Sequence, residues 1–460
     1  MSTKQRIVKY PIYTIGDLSS GIYALGPAIL LLFYMTNILG VPIEIATIAA
    51  ALPKFLDLIF SPVIGAISDR TNSKMGRRRP FLLLSAILVL PLFVGIWAAP
   101  FKEPILSAWF IGIAYAACSL CYTAFLVPYC ALNSEIAKGY KDSTTLNSYR
   151  ATYSMLGCLV AGACAPLLVD LFGGGRNGYF GMGVSLAAIM SASMLVTFSQ
   201  SKEPPRRVHA EKITLKQMSQ ALITNKAFFV LTVTYVLHMI GGAVISTALA
   251  YYVTYILVKD TSLLAGIFLL MFGASVVTIP LFLAIGRKLG KHTSFSLCLL
   301  ISIAAASLFF FLDSSTDVKT AYSAGFAIGF AEGAIQAYAY AMLADCLRQG
   351  DQRQGALLSG VFIAFERMAL ASGSLLAGTT LAIAGLVETV DGTVIQPDSA
   401  LLGIKFSMTV VPITLNFIAL LTFSLYRNFD SKISQIDETE PDIDDVLHNK
   451  TPLLSRSSTS

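Results

Sequence analysis

The stretch Ile67-Ser68-Asp69-Arg70-Thr71-Asn72-Ser73-Lys74-Met75-Gly76-Arg77-Arg78-Arg79-Pro80-Phe81 closes one long apolar run and opens the next, with only a basic turn between them. A loop this short needs Gly76 to reverse direction. Its cations, Arg70 and Arg77 to Arg79 among them, are placed to pair with Asp69, with helix C-termini and with anionic lipid heads at a membrane surface. A helix crossing a bilayer core of roughly 30 Å needs about 20 apolar residues. Reading outward for runs of that length, bounded by charge, Gly or Pro, gives twelve: 11 to 38, 43 to 67, 80 to 99, 105 to 133, 148 to 172, 178 to 199, 227 to 256, 263 to 285, 293 to 312, 319 to 345, 356 to 385 and 402 to 425. No soluble domain is inserted between them.

Composition agrees with this reading. Of the 460 residues, 55% are hydrophobic and 13% charged, with a mean hydropathy of +0.69; a soluble domain carries about 25% charged residues. So few charges do not coat soluble domains of this total length, and the apolar excess faces lipid. A secreted enzyme and a nucleic-acid-binding protein are excluded. No small-residue cleavage site follows the basic segment Met1 to Lys9, so the first span is expected to stay in the mature chain. The seven cysteines lie in or at the ends of apolar runs and read as reduced packing residues. Cys118 and Cys121 form a C-x-x-C without a second pair or a nearby His, so neither a metal centre nor a bound cofactor is expected.

If the N-terminus is cytoplasmic, and Arg150 and Lys319 at span ends are counted with the adjoining segments, 26 of the 33 Lys and Arg residues fall inward, four outside (Lys102, Arg176, Lys259, Lys319) and three within spans (Lys54, Arg367, Lys405). The positive-inside rule therefore places both termini in the cytoplasm and the protein in the cytoplasmic membrane. Residues 1–200 and 227–426 each hold six spans. Residues 201–226, with Pro204, Pro205 and an amphipathic stretch from Ile213 to Ile223, read as a cytoplasmic linker. Residues 427–460, with seven acidic and four basic side chains and a Ser-rich end, read as a disordered cytoplasmic tail.

The two halves repeat one another. Tyr34, Thr36, Ile38 and Leu39 recur 218 residues later as Tyr252, Thr254, Ile256 and Leu257. The same offset carries Pro62-Val-Ile-Gly-Ala66-Ile67 onto Pro280-Leu-Phe-Leu-Ala284-Ile285, and the basic turn onto Gly286 to Lys291; Gly157 to Gly162 resembles Gly373 to Gly378 at an offset of 216. Parallel six-helix repeats of this kind place a substrate site between the halves near mid-membrane. The expected fold is an all-α polytopic membrane protein, a twelve-helix bundle of two six-helix pseudo-repeats that resembles the major facilitator fold.

The pattern D-R-T-x-S-x-x-G-R-R-R-P-F, after a span containing Asp57, is similar to that of the glycoside-pentoside-hexuronide:cation symporter family, which includes melibiose permease. The likeness extends along the chain: Gly16-Asp17 opens span one, Val127-Pro128-Tyr129 with Glu135 closes span four, Leu146 to Arg150 matches L-x-S-Y-R, and Met342-Leu-Ala-Asp345 with Gln354-Gly355 matches the end of span ten. Arg367 stands where the family usually has Lys. The resemblance implies a cation site of Asp57, Ser61 and Thr123, with Lys54 and Arg367 beside it. Ser61 replaces the second acid of melibiose-permease-like members, which implies a proton rather than sodium. Two sugar-holding acids of that permease fall at Gly21 and Leu126, whereas Arg150 matches.

Charge inside a membrane costs several kcal/mol unless paired or hydrated, and marks function by default. Lys54, Asp57 and Ser61 share one helical face, so Lys54 is placed to neutralise Asp57. His238 is the only histidine within an apolar span, and an unperturbed pKa of roughly 6.5 suits proton exchange, while a core histidine bonded to a neighbouring helix fits equally. Glu332, Gln336 and Tyr340 form a polar stripe in span ten; adjacent Glu366 and Arg367 point about 100° apart. With Asp17, Tyr122 and Arg150, the residues His238, Glu332 and Gln336 are the candidates for substrate binding. Asp69, Arg70, Gly76, Arg77, Arg78 and Arg79 are either a topology anchor or a gating latch that holds the cytoplasmic ends of the halves together in one state.

No phosphate loop, H-E-x-x-H or G-x-S-x-G occurs, so the chain is not read as an enzyme. The expected function is symport of a cation, a proton, with a small glycoside-like solute by a monomeric carrier in contact with membrane lipid. Alternatives are a related carrier of another cargo, such as a lysophospholipid, and a transport-inactive sensor or scaffold.

Overall fold

The structure, a computed structural model of the chain, describes residues 10–136, 140–201, 225–348, 352–390 and 394–426. Twelve long helices fill these segments: α1 (Tyr10–Ile38), α2 (Ile43–Arg70), α3 (Arg79–Ala98), α4 (Pro104–Ile136), α5 (Thr145–Leu171), α6 (Gly175–Gln200), α7 (Lys226–Ile256), α8 (Thr261–Leu289), α9 (Lys291–Phe311), α10 (Val318–Arg348), α11 (Gln352–Ile383) and α12 (Asp398–Ser424). Ten contain stretches long and apolar enough to cross a membrane, so the chain is an integral multi-pass membrane protein. The other two, α2 and α10, are equally long and carry Lys54, Asp57 and Ser61 in one case and Glu332 and Gln336 in the other. Helix is the outcome because a spanning segment in lipid must satisfy its backbone polar groups within itself. The predicted linker lies almost wholly, and the tail wholly, outside the described residues.

Helix α12 bends at Thr409, where φ is −124° and ψ −71°. Pro412 lacks the N–H that would bond the carbonyl of residue 408, and its ring crowds that carbonyl.

The sequence repeat reappears as backbone geometry. Both α1 and α7 end in a π-helical turn, Tyr34–Ile38 and Tyr252–Ile256. Leu39 N–H donates to Tyr34 O at 3.2 Å and Val41 N–H to Met35 O at 2.9 Å; their counterparts Leu257 and Lys259 donate to Tyr252 O and Val253 O at 3.0 and 3.1 Å. Each turn reverses through a left-handed residue, Gly40 at φ +67° and Val258 at φ +52°. Gly adopts that conformation freely, whereas a β-branched residue is strained in it. Tyr34 and Tyr252 are buried pins: their hydroxyls donate to Trp97 O and Phe309 O at the ends of α3 and α9.

Close backbone approach builds each half. A Cβ on Gly21 of α1 would lie 2.0 Å from Ser154 O of α5, and one on Gly157 would lie 2.2 Å from Leu18 O. The position equivalent to Gly157, Gly373 of α11, meets Ile240 O of α7 in the same way, at 2.6 Å. Small residues let transmembrane helices pack at this distance.

Between the halves, hydrogen bonds among the described residues gather toward the end bearing the α1–α2, α7–α8 and α11–α12 connections. Thr389 N–H donates to Thr36 O at 3.0 Å, Leu39 and Val390 form an antiparallel bridge, and Glu388 Oε1 accepts from Ile43 N–H at 2.8 Å. Thr36 and Tyr251 hydroxyls bond at 2.7 Å, and Asn37 Nδ2 donates to Tyr255. Lower down, Thr247 Oγ1 donates to Ala28 O at 3.1 Å. These bonds seal the α1–α2 side of this end, beside a cleft lined by Leu30, Phe33, Tyr179, Val253 and Lys259.

Candidate functional site

Helix α2 separates two environments. Ile48, Leu52, Ile59 and Val63 are exposed on one side, and Lys54, Asp57 and Ser61 project from the opposite one. Asp57 is buried, and its Oδ1 accepts hydrogen bonds from Ser119 and from Thr123 Oγ1, the latter at 2.9 Å. Ser119 and Thr123 stand four residues apart on one face of α4. The sequence reading found Thr123 and missed Ser119, which that spacing would have exposed. Ser61 turns its hydroxyl to the Asp57 backbone carbonyl at 2.7 Å and leaves the carboxylate alone.

The expected neutralisation of Asp57 by Lys54 along the helix is not formed. Their charges attract, yet among the described residues Lys54 makes no ion pair, and Asp57 is drawn toward α4. Arg367, on α11 in the other half, lies within electrostatic reach of the Asp57 carboxylate. Helix geometry explains the placement. Gly378 of α11 packs on Thr47 of α2, where a Cβ would lie 2.0 Å from Thr47 Oγ1. At 1.5 Å per residue, Lys54 and Asp57 lie about 10 and 15 Å below that contact and Arg367 about 16 Å. Arg367 shares the Gly378 face after eleven residues and so meets the polar side of α2.

A second cluster joins α1, α4 and α5. Asp17 receives Arg150 Nε at 3.0 Å and Nη2 at 3.3 Å, with Tyr129 OH at 2.6 Å. The guanidinium lies 5.1 Å from the Tyr129 ring centre. Tyr122 OH donates to Ser20 Oγ at 2.6 Å, its ring stacks on Tyr23 at 4.2 Å, and Ser20 reaches Asp17 Oδ1 at 3.4 Å. Asp17, Tyr122 and Arg150 are therefore brought together. Gly21, where a sugar-holding acid stands in melibiose permease, has no room for any side chain here.

The other half holds its own acids. His238 is fully buried, with Nδ1 2.7 Å from Asn416 Oδ1 and Nε2 3.1 Å from Glu332 Oε2. Glu366 accepts from Tyr235 OH at 3.2 Å and Tyr340 OH at 2.7 Å. Gln336 has no hydrogen bond among the described residues. Asn416, Tyr235 and Tyr129 were not singled out as partners because the helices that carry them are remote in sequence.

In the basic turn, Gly76 adopts φ +108° and Ser73 caps it, accepting from Met75 N–H at 3.2 Å and donating to Gly76 O at 2.6 Å. Asp69 pairs with Arg78 at 3.3 Å and the Arg79 guanidinium lies 5.0 Å from the Phe198 ring centre. These contacts stay within one half. Arg70 is exposed, and Arg77 is half-buried.

The MFS/sugar transport protein model matches residues 12–428. The chain belongs to that family. It is 27% identical to the uncharacterized symporter YnaJ of Bacillus subtilis (strain 168), covering 91% of both chains, and 25% identical to the putative glycoside/cation symporter YagG of Escherichia coli (strain K12), covering 92% of both. Among solved structures, a bacterial homologue of the human lysosomal transporter Spinster, inward-facing and unoccupied, superposes with a TM-score of 0.68 at 14% identity, over 94% of this chain and 99% of that one. The family and its structural neighbours are transporters, not enzymes, and the major facilitator fold read from the repeats is the fold observed.

Proposed function

We propose that this protein is a proton-coupled symporter of a small glycoside-like solute, working by alternating access as a monomer in the cytoplasmic membrane with both termini inside. The observation that carries the reading is Asp57: a buried carboxylate at the junction of the halves, bonded by two neutral hydroxyls and attracted across the junction by Arg367. Protonation and deprotonation of such a group change what holds α2 to α11, so the proton and the conformational equilibrium are linked. One carboxylate with hydroxyls, and Ser61 bonded to its own backbone, is a poor ligand set for sodium. The Asp17, Arg150 and Tyr122 cluster and the Glu332, Gln336 and His238 stripe form the two walls for the solute. The relatives named as symporters support the class of transport.

The test is counterflow and gradient-driven uptake in proteoliposomes over a panel of glycosides. Asp57→Asn is expected to abolish accumulation while retaining counterflow, and uptake by the unaltered protein is expected to collapse with a protonophore. A strict sodium requirement at fixed pH, or accumulation by Asp57→Asn, refutes the proposal.

A further inference from the structure

Four helices of the C-terminal half meet at the fully buried His238 of α7. Its Nδ1 lies 2.7 Å from Asn416 Oδ1 of α12, whose amide is oriented by Nδ2 donating to Ser302 Oγ of α9 at 3.4 Å. On the other side of the ring, Nε2 lies 3.1 Å from Glu332 Oε2 of α10. Gly242, about one turn after His238, makes room for the second carboxyl oxygen: a Cβ there would lie 3.2 Å from Glu332 Oε1. The Glu332 side chain keeps 21% of its surface exposed, so the pair is closed on the histidine side and open on the glutamate side. Among the described residues, no other hydrogen bond joins α7 to α10.

The donors and acceptors fix how many protons this arrangement holds. An amide oxygen only accepts, so Nδ1 carries a hydrogen; the opposite tautomer sets a nitrogen lone pair against Asn416 Oδ1. Nε2 and Oε2 then meet in one of two ways: an imidazolium donates to a carboxylate, or a protonated carboxyl donates to the neutral ring. Both hold one proton more than a neutral histidine beside an ionised glutamate. Without that proton two lone pairs face each other at hydrogen-bond distance, and the contact is lost. We infer that His238 and Glu332 form a second proton site, in the C-terminal half, whose single proton lies between Nε2 and Oε2 and ties α10 to α7. The ring is enclosed, so the proton enters and leaves through the exposed side of Glu332. The inference goes beyond the symport reading and stands whether or not Asp57 couples, since Asp57 belongs to α2 in the other half. The titratable groups acting on the pair from the helices packed around it are Tyr235 of α7 and, through Tyr235, Tyr340 of α10 and Glu366 of α11. Tyr235 OH donates to Glu366, which leaves Glu332 to the histidine. Helices α9 and α12 present Ser302 and Asn416, neither of which titrates.

The test is nitrogen-15 magnetic resonance on the purified full chain, labelled at histidine and titrated with acid and base, with His238 assigned by the loss of its signals in His238→Gln. Nδ1 is expected to stay protonated throughout, while Nε2 changes once, as the shared proton is lost. Glu332→Gln is expected to weaken proton binding at Nε2 by about 10-fold or more, seen as a shift of that change by about one pH unit or more, and Asp57→Asn to leave it in place. Size-exclusion profiles establish that the variants fold. Glu332→Asp, one methylene too short to keep the 3.1 Å contact, replaces Glu332→Gln if the latter is not monodisperse, and is expected to shift the change in the same direction. A His238 without hydrogen on Nδ1, a change at Nε2 that neither Glu332 variant moves, or one that Asp57→Asn moves as far overturns the inference. Failure of Asp57→Asn to uncouple uptake refutes the symport reading and leaves this site standing.

Discussion

Replacing Arg150 with Met isolates the worth of the most completely built charge pair among the described residues. Asp17 is 3% exposed and holds three strong donors, Arg150 through two nitrogens and Tyr129 through its hydroxyl. Met fills much of the volume of the Arg stem but leaves the carboxylate with Tyr129 and a long contact to Ser20. Stranding one member of a buried pair costs about 3–5 kcal/mol. Asp17→Asn together with Arg150→Met removes both charges, and the double variant is expected to regain at least 2 kcal/mol of that loss, the signature of direct coupling. Denaturant unfolding in mixed micelles, followed by the fluorescence of the two tryptophans, buried Trp97 and exposed Trp109, reads these differences. A loss under 1 kcal/mol for Arg150→Met, or no recovery in the double variant, refutes the account of this cluster as a desolvated pair.

Val258→Gly is expected to stabilise the protein by about 1 kcal/mol, because it relieves a β-branched residue at φ +52°; Gly40→Val is expected to destabilise by more, since its Cβ also meets Val390 Cγ2 at 2.8 Å. Thermal unfolding of both variants checks the pair. Glu388→Ala removes the acceptor for the first backbone N–H of α2, a cap worth about 0.5–2 kcal/mol, and a cysteine placed in the sealed end is expected to react roughly 2- to 30-fold faster with a membrane-impermeant thiol reagent. Gly21→Asp, which restores the acid of melibiose permease, is expected to abolish folding rather than improve sugar binding, and a normal yield of monodisperse protein contradicts the packing of α1 on α5. Arg78→Ala is expected to insert normally and to transport slowly; unchanged transport and unchanged labelling at the mouth assign the turn to topology alone.

The helices and the duplication were legible because both are written in the chain locally, as runs of apolar residues and as a fixed offset between similar segments. Tyr34 and Tyr252 illustrate how far this reached: their equivalence was visible, but not that each pins the third helix of its half, since Trp97 and Phe309 share no motif. The interior charges were legible as positions and not as pairs. Lys54 and Asp57 have the spacing of a helical ion pair, and only the pull of Ser119 and Thr123 from α4 shows why the carboxylate turns elsewhere. Asn416 is polar in an apolar run, yet nothing in the sequence ties it to His238, 178 residues away.

The seal at the α1–α2 end is made in good part from main-chain groups: Thr389 N–H on Thr36 O, and the bridge between Leu39 and Val390. Every residue except proline offers the same two groups there. A closure of this kind is therefore indifferent to much side-chain drift and sensitive to the length of the α11–α12 connection, which fixes where residues 388 to 390 arrive. Lineages of such carriers are free to rewrite the cavity for new cargo while the door keeps its fit, and an insertion of one residue before Thr389 does more to its opening than several exchanges of side chain on either side.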